Sequence, residues 1–302
     1  MNNFHPESPK NIELADKDIA EIYRILETVP LIDGHNDAPW RFYREHDRNI
    51  DAVDFSRNTS KANPYMCTDI PRLRTGRVGG QFWSAFILDN WAGPGAADAT
   101  RRQMKIIDDL ILKYPDDLQR AETSSDIRLI HRKGKIASLT GIEGGHSIQS
   151  SPESLEEFYG SGARYMTLAC AKSNDVADSA TGENLNNGVS AFGEKIISLM
   201  NRLGMMVDLS HCSDQTMNDA LELSRSPVIF SHSSARALCD SPRNAPDNIL
   251  KKLAERGGVI MITFVPMFLT DTARKYYSAK NEAMEPWRQK YRERELRQKG
   301  RR

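Results

Sequence analysis

Four short apolar runs in the chain carry side chains able to bind a metal ion. Residues 29–36 (VPLIDGHN) hold His35, with Asp37 two positions on. Residues 136–145 (IASLTGIEGG) hold Glu143, residues 205–211 (MMVDLSH) end on His211, and residues 227–232 (PVIFSH) end on His232. Side chains alternate along a strand with period two, so His35 and Asp37 project to one face of one strand. Imidazole nitrogens and carboxylate oxygens are the donors that zinc-like ions take. Five of them at strand ends suffice for one or two such ions. The chemistry they point to is the binding of a divalent metal.

Such a site needs a scaffold that brings several strand ends together. Beyond residues 29–36, strand-like runs occupy 83–88, 136–142, 164–170, 205–210, 228–231 and 259–264. Helical periodicity marks 18–28, 97–114, 151–159, 192–203 (closed by Gly204), 213–223 and 246–256. Residues 40–80 read as a polar, irregular stretch punctuated by Pro64, Pro71, Gly76, Gly79 and Gly80. Strands alternating with helices predict a parallel α/β protein. Polar residues at the C-terminal ends of four strands favour a TIM-type (β/α)8 barrel. A doubly wound open sheet would gather them at one switch point, and no glycine-rich dinucleotide fingerprint is present. The count is one strand short, because no further strand-like run is read after residues 259–264. The expectation is therefore an incomplete barrel over residues 1–270, its eighth strand missing, and a helical tail over 271–302. An open barrel leaves two unpaired edges, and self-association into a homodimer is one way to cover them.

The 302 residues carry no net charge, which argues against nucleic acid as the main partner; 39% hydrophobic residues and 27% charged fit a chain with an ordinary core. The tail is the exception, with eleven Lys/Arg against five Asp/Glu from Asp271 onward. Interleaved glutamates read it as a solvated helix rather than a membrane or nucleic-acid surface. Cys67, Cys170, Cys212 and Cys239 lack metal-site or disulfide spacing and read as isolated thiols. The N-terminal stretch has no apolar signal core and no run approaches the ~20 residues needed to span a bilayer. The expectation is a cytoplasmic chain, or a secreted or periplasmic one if a signal has been processed.

The segments IDGHNDAPW, RVGGQFWS, GIEGGHSI, RYMTLACAKSNDVADSAT, NGVSAFG, MNRLGMMVDLSH, PVIFSHSSARAL and SPRNAPDNIL resemble the membrane (renal) dipeptidase family of zinc metallopeptidases, peptidase family M19, over residues 29–268. The resemblance implies a TIM-type barrel with two zinc ions. His35 and Asp37 would bind one, His211 and His232 the other, and Glu143, as the catalytic bridging carboxylate, both. It implies that Arg243 holds the substrate carboxylate and that the reaction is hydrolysis of dipeptides, with tolerance of a D-residue on the carboxyl side. Two such ions share a bridging water whose pKa falls to roughly 7, which supplies hydroxide near neutral pH. Other barrel metallohydrolases, such as lactonases or deaminases, fit these blocks less well, and no strand lysine suited to a carbamate bridge stands out.

The chain departs from the family pattern twice. Cys170 stands where the family commonly has a substrate-binding histidine, and a thiol is a weaker donor. The family's Gly-x-Asp-Phe-Asp-Gly strand does not occur in this sequence, so the resemblance implies a C-terminally truncated member. The alternative reading is accordingly an impaired chain that binds metal without turnover. Among the remaining polar residues, His146 reads as loop packing and Asp178 as a loop hydrogen-bond acceptor. His5, His46 and His131 read as solvated.

Overall fold

The alternation of apolar strands and amphipathic helices yields a parallel α/β barrel in the computed structural model, which describes residues 15–62, 65–91 and 93–299. His5, the rest of the N-terminal stretch through residue 14, and Pro64 lie outside the described residues. The strands are β1 (Leu31–Asn36), β2 (Val78–Phe86), β3 (Leu118–Arg120), β4 (Ile136–Glu143), β5 (Ala163–Thr167), β6 (Met206–Asp208), β7 (Ile229–Ser233) and β8 (Val259–Ile262). Helices α1 (Asp16–Thr28), α2 (Ala38–Glu45), α3 (Ile70–Thr75), α4 (Ala96–Lys113), α5 (Ser124–Arg132) and α6 (Pro152–Gly160) cover the first half. Helices α7 (Ala191–Leu203), α8 (Asp214–Leu223), α9 (Asp247–Glu255), α10 (Pro266–Leu269) and α11 (Asp271–Lys299) cover the second. All-parallel pairing runs in the order β1-β2-β4-β5-β6-β7-β8.

The strand count of seven is corrected to eight, but the additional strand lies off the barrel path, so among the described residues no strand joins β8 to β1, as the expected open barrel has it. The additional strand, β3, is too short to show a pattern in sequence. It pairs with the start of β4, from Leu118↔Ile136 to Arg120↔Ser138, before β5 joins β4 at Thr140. It thus adds nothing at the seam between β8 and β1, where no ladder is formed among the described residues. The barrel is nearly closed, and packing does what pairing does not. A Cβ on Gly34 would lie 2.2 Å from the Met261 sulfur and 2.4 Å from the Ser231 carbonyl oxygen. Only glycine lets β1 come this close to β7 and β8.

Period-two alternation divides the strand residues between two cores. Trp83, Ile136, Ile142, Met166 and Phe230 join the layer packed with helix residues such as Ile107 and Leu110. Phe82, Ala137, Leu139, Tyr165 and Ile229 form a second cluster. Glu143 has the parity of Ala137 and Leu139, so it projects to the same face. All eight residues of β4 are buried, as in a central parallel strand covered on both faces.

The stretch over 40–80 is more ordered than its polarity predicts. It includes α3 and most of α2, each with proline in its first turn, and it buries Trp40, Phe42, Phe55 and Met66. Asp69 caps α3 by accepting from the Arg72 N–H. At the other end of the chain, α11 is a long polar helix, exposed over most of its length as far as Trp287, with Pro286 inside it. No helix among the described residues is long and apolar enough to cross a membrane.

Candidate metal centre

Strand register sets the level of the site. Glu143, the last residue of β4, lies opposite Phe86 of β2 and Thr167 of β5, and Thr167 lies opposite Asp208, the last residue of β6. His35 is near the end of β1, Asp37 is the residue just before α2, His211 follows β6, and His232 is in β7. All five expected ligands converge. His35 Nε2 is 3.2 Å from Asp37 Oδ1 and 3.3 Å from Glu143 Oε2. Glu143 Oε1 is 2.9 Å from His211 Nε2 and 3.7 Å from His232 Nε2. The two last-named nitrogens are 3.0 Å apart, and the His35 and His232 rings stack at 3.8 Å. Glu143 therefore turns one oxygen to His35 and the other to His211 and His232.

The donor set fits a divalent cation. Ligand atoms of His35, Glu143 and His232 lie within 4.8 Å of one another, as do those of Glu143, Cys170 and His211. Among the described residues, His35 Nε2 is buried without a hydrogen bond despite its two carboxylate neighbours. Burying so many polar atoms around one point is costly unless something satisfies them, and nitrogen and oxygen donors are what zinc takes. His211 also holds a left-handed backbone, φ 71°, a strain that non-glycine residues retain at functional sites.

Hydrogen bonds behind the ligands fix which nitrogen faces the centre. Asp208 Oδ2 accepts from Thr167 Oγ1 at 2.5 Å and Ser231 Oγ at 2.6 Å, while Oδ1 accepts from the Ser231 and Ser210 N–H groups at 2.8 and 3.1 Å. A carboxylate accepts and a hydroxyl has one proton, so Ser231 Oγ is left to accept from His232 Nδ1, 2.8 Å away. The same logic holds on β1. Tyr165 Oη donates to the Gly34 carbonyl at 3.0 Å and so accepts from His35 Nδ1 at 3.1 Å. Both rings then present Nε2 to the centre, the arrangement that outer hydrogen bonds impose on metal-binding histidines. Tyr165 reaches His35 because its ring lies over Gly141, where a Cβ would fall 2.0 Å from the ring.

Charges in the metal-free chain are distributed accordingly. Burial opposes a charged His35, but the Tyr165 oxygen and the Asp37 and Glu143 carboxylates together outweigh it and raise its pKa well above the ordinary value. Burial would raise Glu143, yet His35 and His211 hold it well below the usual carboxylate range. Burial, reinforced by His35 and His211, pushes His232 well down; burial and Arg243 lower His211. A proton therefore sits on His35, where a cation would displace it. A raised histidine stabilises the metal-free fold fully below its unfolded pKa of about 6.5 and loses that contribution as pH rises through the folded value. Metal affinity has the opposite slope. Above about pH 6.5, apparent zinc affinity is expected to climb by about tenfold per pH unit until His35 has titrated. Competition titrations with a chromophoric chelator would measure this, and affinity independent of pH in that window would contradict it.

The remaining candidates divide clearly. Arg243 is 5% exposed; its Nη2 reaches the His232 carbonyl at 3.5 Å, its Nη1 has no hydrogen-bond partner among the described residues, and its guanidinium lies 5.2 Å from the Phe268 ring centroid. Cys170 directs its thiol at Glu143 Oε1, 3.7 Å away. His146 Nε2 faces the Ile87 carbonyl at 3.1 Å, as loop packing predicts. Asp178 accepts from the N–H groups of Leu185, Asn186 and Gly188. His46 and His131, expected to be solvated, are partly buried. Sequence reasoning missed Asp208, Ser231 and Tyr165. A carboxylate inside the apolar run MMVDLSH was the one signal for the first.

The sequence profile of the membrane dipeptidase family, peptidase family M19, matches residues 19–289. Dipeptidase verJ of Clonostachys rogersoniana is 43% identical over 265 residues, which cover 83% of this chain and 66% of that protein. The chain thus spans just under two thirds of that relative's length. In fold, the chain is similar to the probable dipeptidase PvdM from Pseudomonas aeruginosa (TM-score 0.72, 22% identity, covering 85% of this chain and 65% of that one). It is also similar to a metallopeptidase from Rhodobacter sphaeroides solved with a phosphinate mimic of the dipeptide L-Ala-D-Ala (TM-score 0.69, 22% identity, covering 82% of this chain and 77% of that one).

Proposed function

Because the chain belongs to the membrane dipeptidase family (peptidase family M19), we propose that it hydrolyses dipeptides at a dinuclear zinc centre. His35 and Asp37 would hold one ion, His211 and His232 the other, and Glu143 would contribute to both. The observation that supports this is the division of Glu143, whose two oxygens face different histidines at 3.3 and 2.9 Å. When bound, zinc supplies Lewis acidity and lowers the pKa of water toward roughly 7.

The chain's own residues bind and orient the substrate. Arg243 is a buried cation with an unpartnered Nη1, suited to a carboxylate, which a guanidinium grips with two parallel hydrogen bonds. Because that cation is fixed beside His232, a substrate carboxylate gripped there brings the peptide bond adjacent to the C-terminal residue toward the centre. Water adds its oxygen to the scissile carbonyl carbon, the C–N bond breaks, and the leaving amine takes a proton. The phosphinate dipeptide mimic bound by the Rhodobacter sphaeroides relative supports the substrate class, including a D-residue at the carboxyl end.

The test is zinc content together with turnover on a panel of L,L and L,D dipeptides. About two zinc per chain and chelator-reversible hydrolysis are expected. Zinc-loaded protein with no turnover on any member would overturn the proposal and favour a chain that binds metal without catalysis. Arg243→Ala is expected to lower kcat/KM by about 100-fold, mostly through KM, since a charge-assisted pair at a buried site is lost. The same variant should act on a dipeptide amide no worse than wild type does, and an equal loss on both substrates would refute the carboxylate role.

A further inference from the structure

We propose that Cys170 is a metal ligand, whose thiolate joins Glu143, His211 and His232 in the donor set of one of the two cations. This rests on the dinuclear reading above and deepens it, turning one half of the centre from nitrogen and oxygen ligation to mixed nitrogen, oxygen and sulfur.

The geometry carries the inference. Cys170 Sγ lies 3.7 Å from Glu143 Oε1, and the Glu143, Cys170 and His211 donor atoms are all within 4.8 Å of one another. A tetrahedral ion with Zn–S of about 2.3 Å and Zn–O of about 2.1 Å separates sulfur from oxygen by roughly 3.6 Å. The thiol is thus already at ligand spacing from the oxygen. It is 3% exposed, and its backbone is anchored where the Cys170 carbonyl accepts from Ser179 Oγ. The other cysteines point elsewhere. Cys67 is exposed, Cys239 donates to the Met267 carbonyl, and Cys212 is buried against Asp208 and the backbone of Leu168 and Ala169.

A second observation sets the two halves apart. On the far side of Glu143, the buried and unpartnered His35 Nε2 points at Oε2, with Asp37 as its other neighbour. That half offers nitrogen and oxygen alone. Two dications would then meet three anionic ligands, Asp37, Glu143 and Cys170, with the cationic Arg243 also close enough to act on the thiol. In the metal-free chain, burial and the Glu143 charge keep the thiol protonated. A coordinating cation reverses this, and the S–H proton passes to solvent as the metal–sulfur bond forms. Thiolate ligation favours zinc and cadmium over manganese at this half and leaves the His35 half comparatively indifferent.

The experiment is a titration of the metal-free, full-length chain with Co2+, read by absorption. Bound cobalt should give visible d–d bands together with a near-ultraviolet band from thiolate-to-cobalt charge transfer. Cys170→Ser should keep the visible bands, lose the ultraviolet band and lower Cd2+ affinity relative to Zn2+ by on the order of tenfold. Cys212→Ser should keep both sets of bands. Visible bands without the ultraviolet band in the wild-type chain would overturn the proposal and leave the dinuclear reading intact. So would an ultraviolet band that survives Cys170→Ser or disappears in Cys212→Ser. Failure of cobalt to bind at all would overturn the dinuclear reading, and this inference with it.

Discussion

Glu143→Ala is expected to abolish turnover and to leave at most one weakly held zinc per chain. Each half of the centre loses a ligand at once, since Oε2 faces His35 and Oε1 faces His211 and His232. Loss of a single electrostatic contact at a reacting centre already costs 10²–10³ in rate, so the fall in kcat/KM should exceed about 10³-fold. The metal-free protein also changes. His35 loses one of two carboxylate neighbours and keeps Asp37 at 3.2 Å. Breaking a buried charge pair costs about 3–5 kcal/mol, and with Asp37 retained the lower figure applies, a drop in Tm of roughly 8 °C below neutral pH. The His35 pKa should fall in the same variant. Metal analysis, steady-state kinetics and melting in the presence of chelator test the three parts. Two tightly bound zinc ions with more than a tenth of wild-type kcat/KM would remove Glu143 from the centre of the mechanism.

Asp208→Asn should weaken zinc binding by about 10–100-fold without touching a ligand. The carboxylate accepts from four donors, and Oδ2 takes the Thr167 and Ser231 hydroxyl protons. An amide can keep the oxygen toward the two backbone N–H groups, but its NH2 then donates where Oδ2 accepted. The Ser231 proton must turn away, and His232 Nδ1 at 2.8 Å is its nearest acceptor. His232 would switch to the Nε2–H form and present a proton where a lone pair is needed. The accompanying stability loss is about 1–3 kcal/mol, that of a disturbed buried hydrogen-bond set. Nitrogen chemical shifts of His232 in the metal-free protein report the switch directly. An unchanged Nδ1–H form, or unchanged zinc affinity, would show that the buried carboxylate does not act through this histidine.

The metal ligands were legible because a polar residue ending an apolar run is conspicuous, and because period two assigns it a face. Asp208 was not, although it lies in the same run as His211. Its role depends on register with Thr167 and Ile229, residues from strands distant in sequence. Tyr165 likewise reads as an ordinary strand aromatic until the barrel curves and brings its hydroxyl to His35. The helices α2 and α3 escaped because each is short and carries several charges, so their apolar stripes are brief beside the polar composition around them. β3 has three residues, below the length at which alternation can be counted. The unpaired seam was legible, but its close packing was not. A strand count cannot reveal a backbone approach as close as that of Gly34 to Ser231, which depends on the absence of a side chain.

That seam has a thermodynamic consequence. His35 and Asp37 belong to β1 or the residue just beyond it, while His232 is on β7, so the centre's ligands stand on both sides of the place where the ladder is interrupted. Across it run the Gly34 contact and the stacking of His35 on His232. A ligand that binds only the folded chain adds about 1.4 kcal/mol of stability for each tenfold excess over its Kd. For cations held by both flanks, that linkage energy acts against separation of β1 from β7. Among the described residues, coordination would then tie together two flanks that no peptide ladder joins.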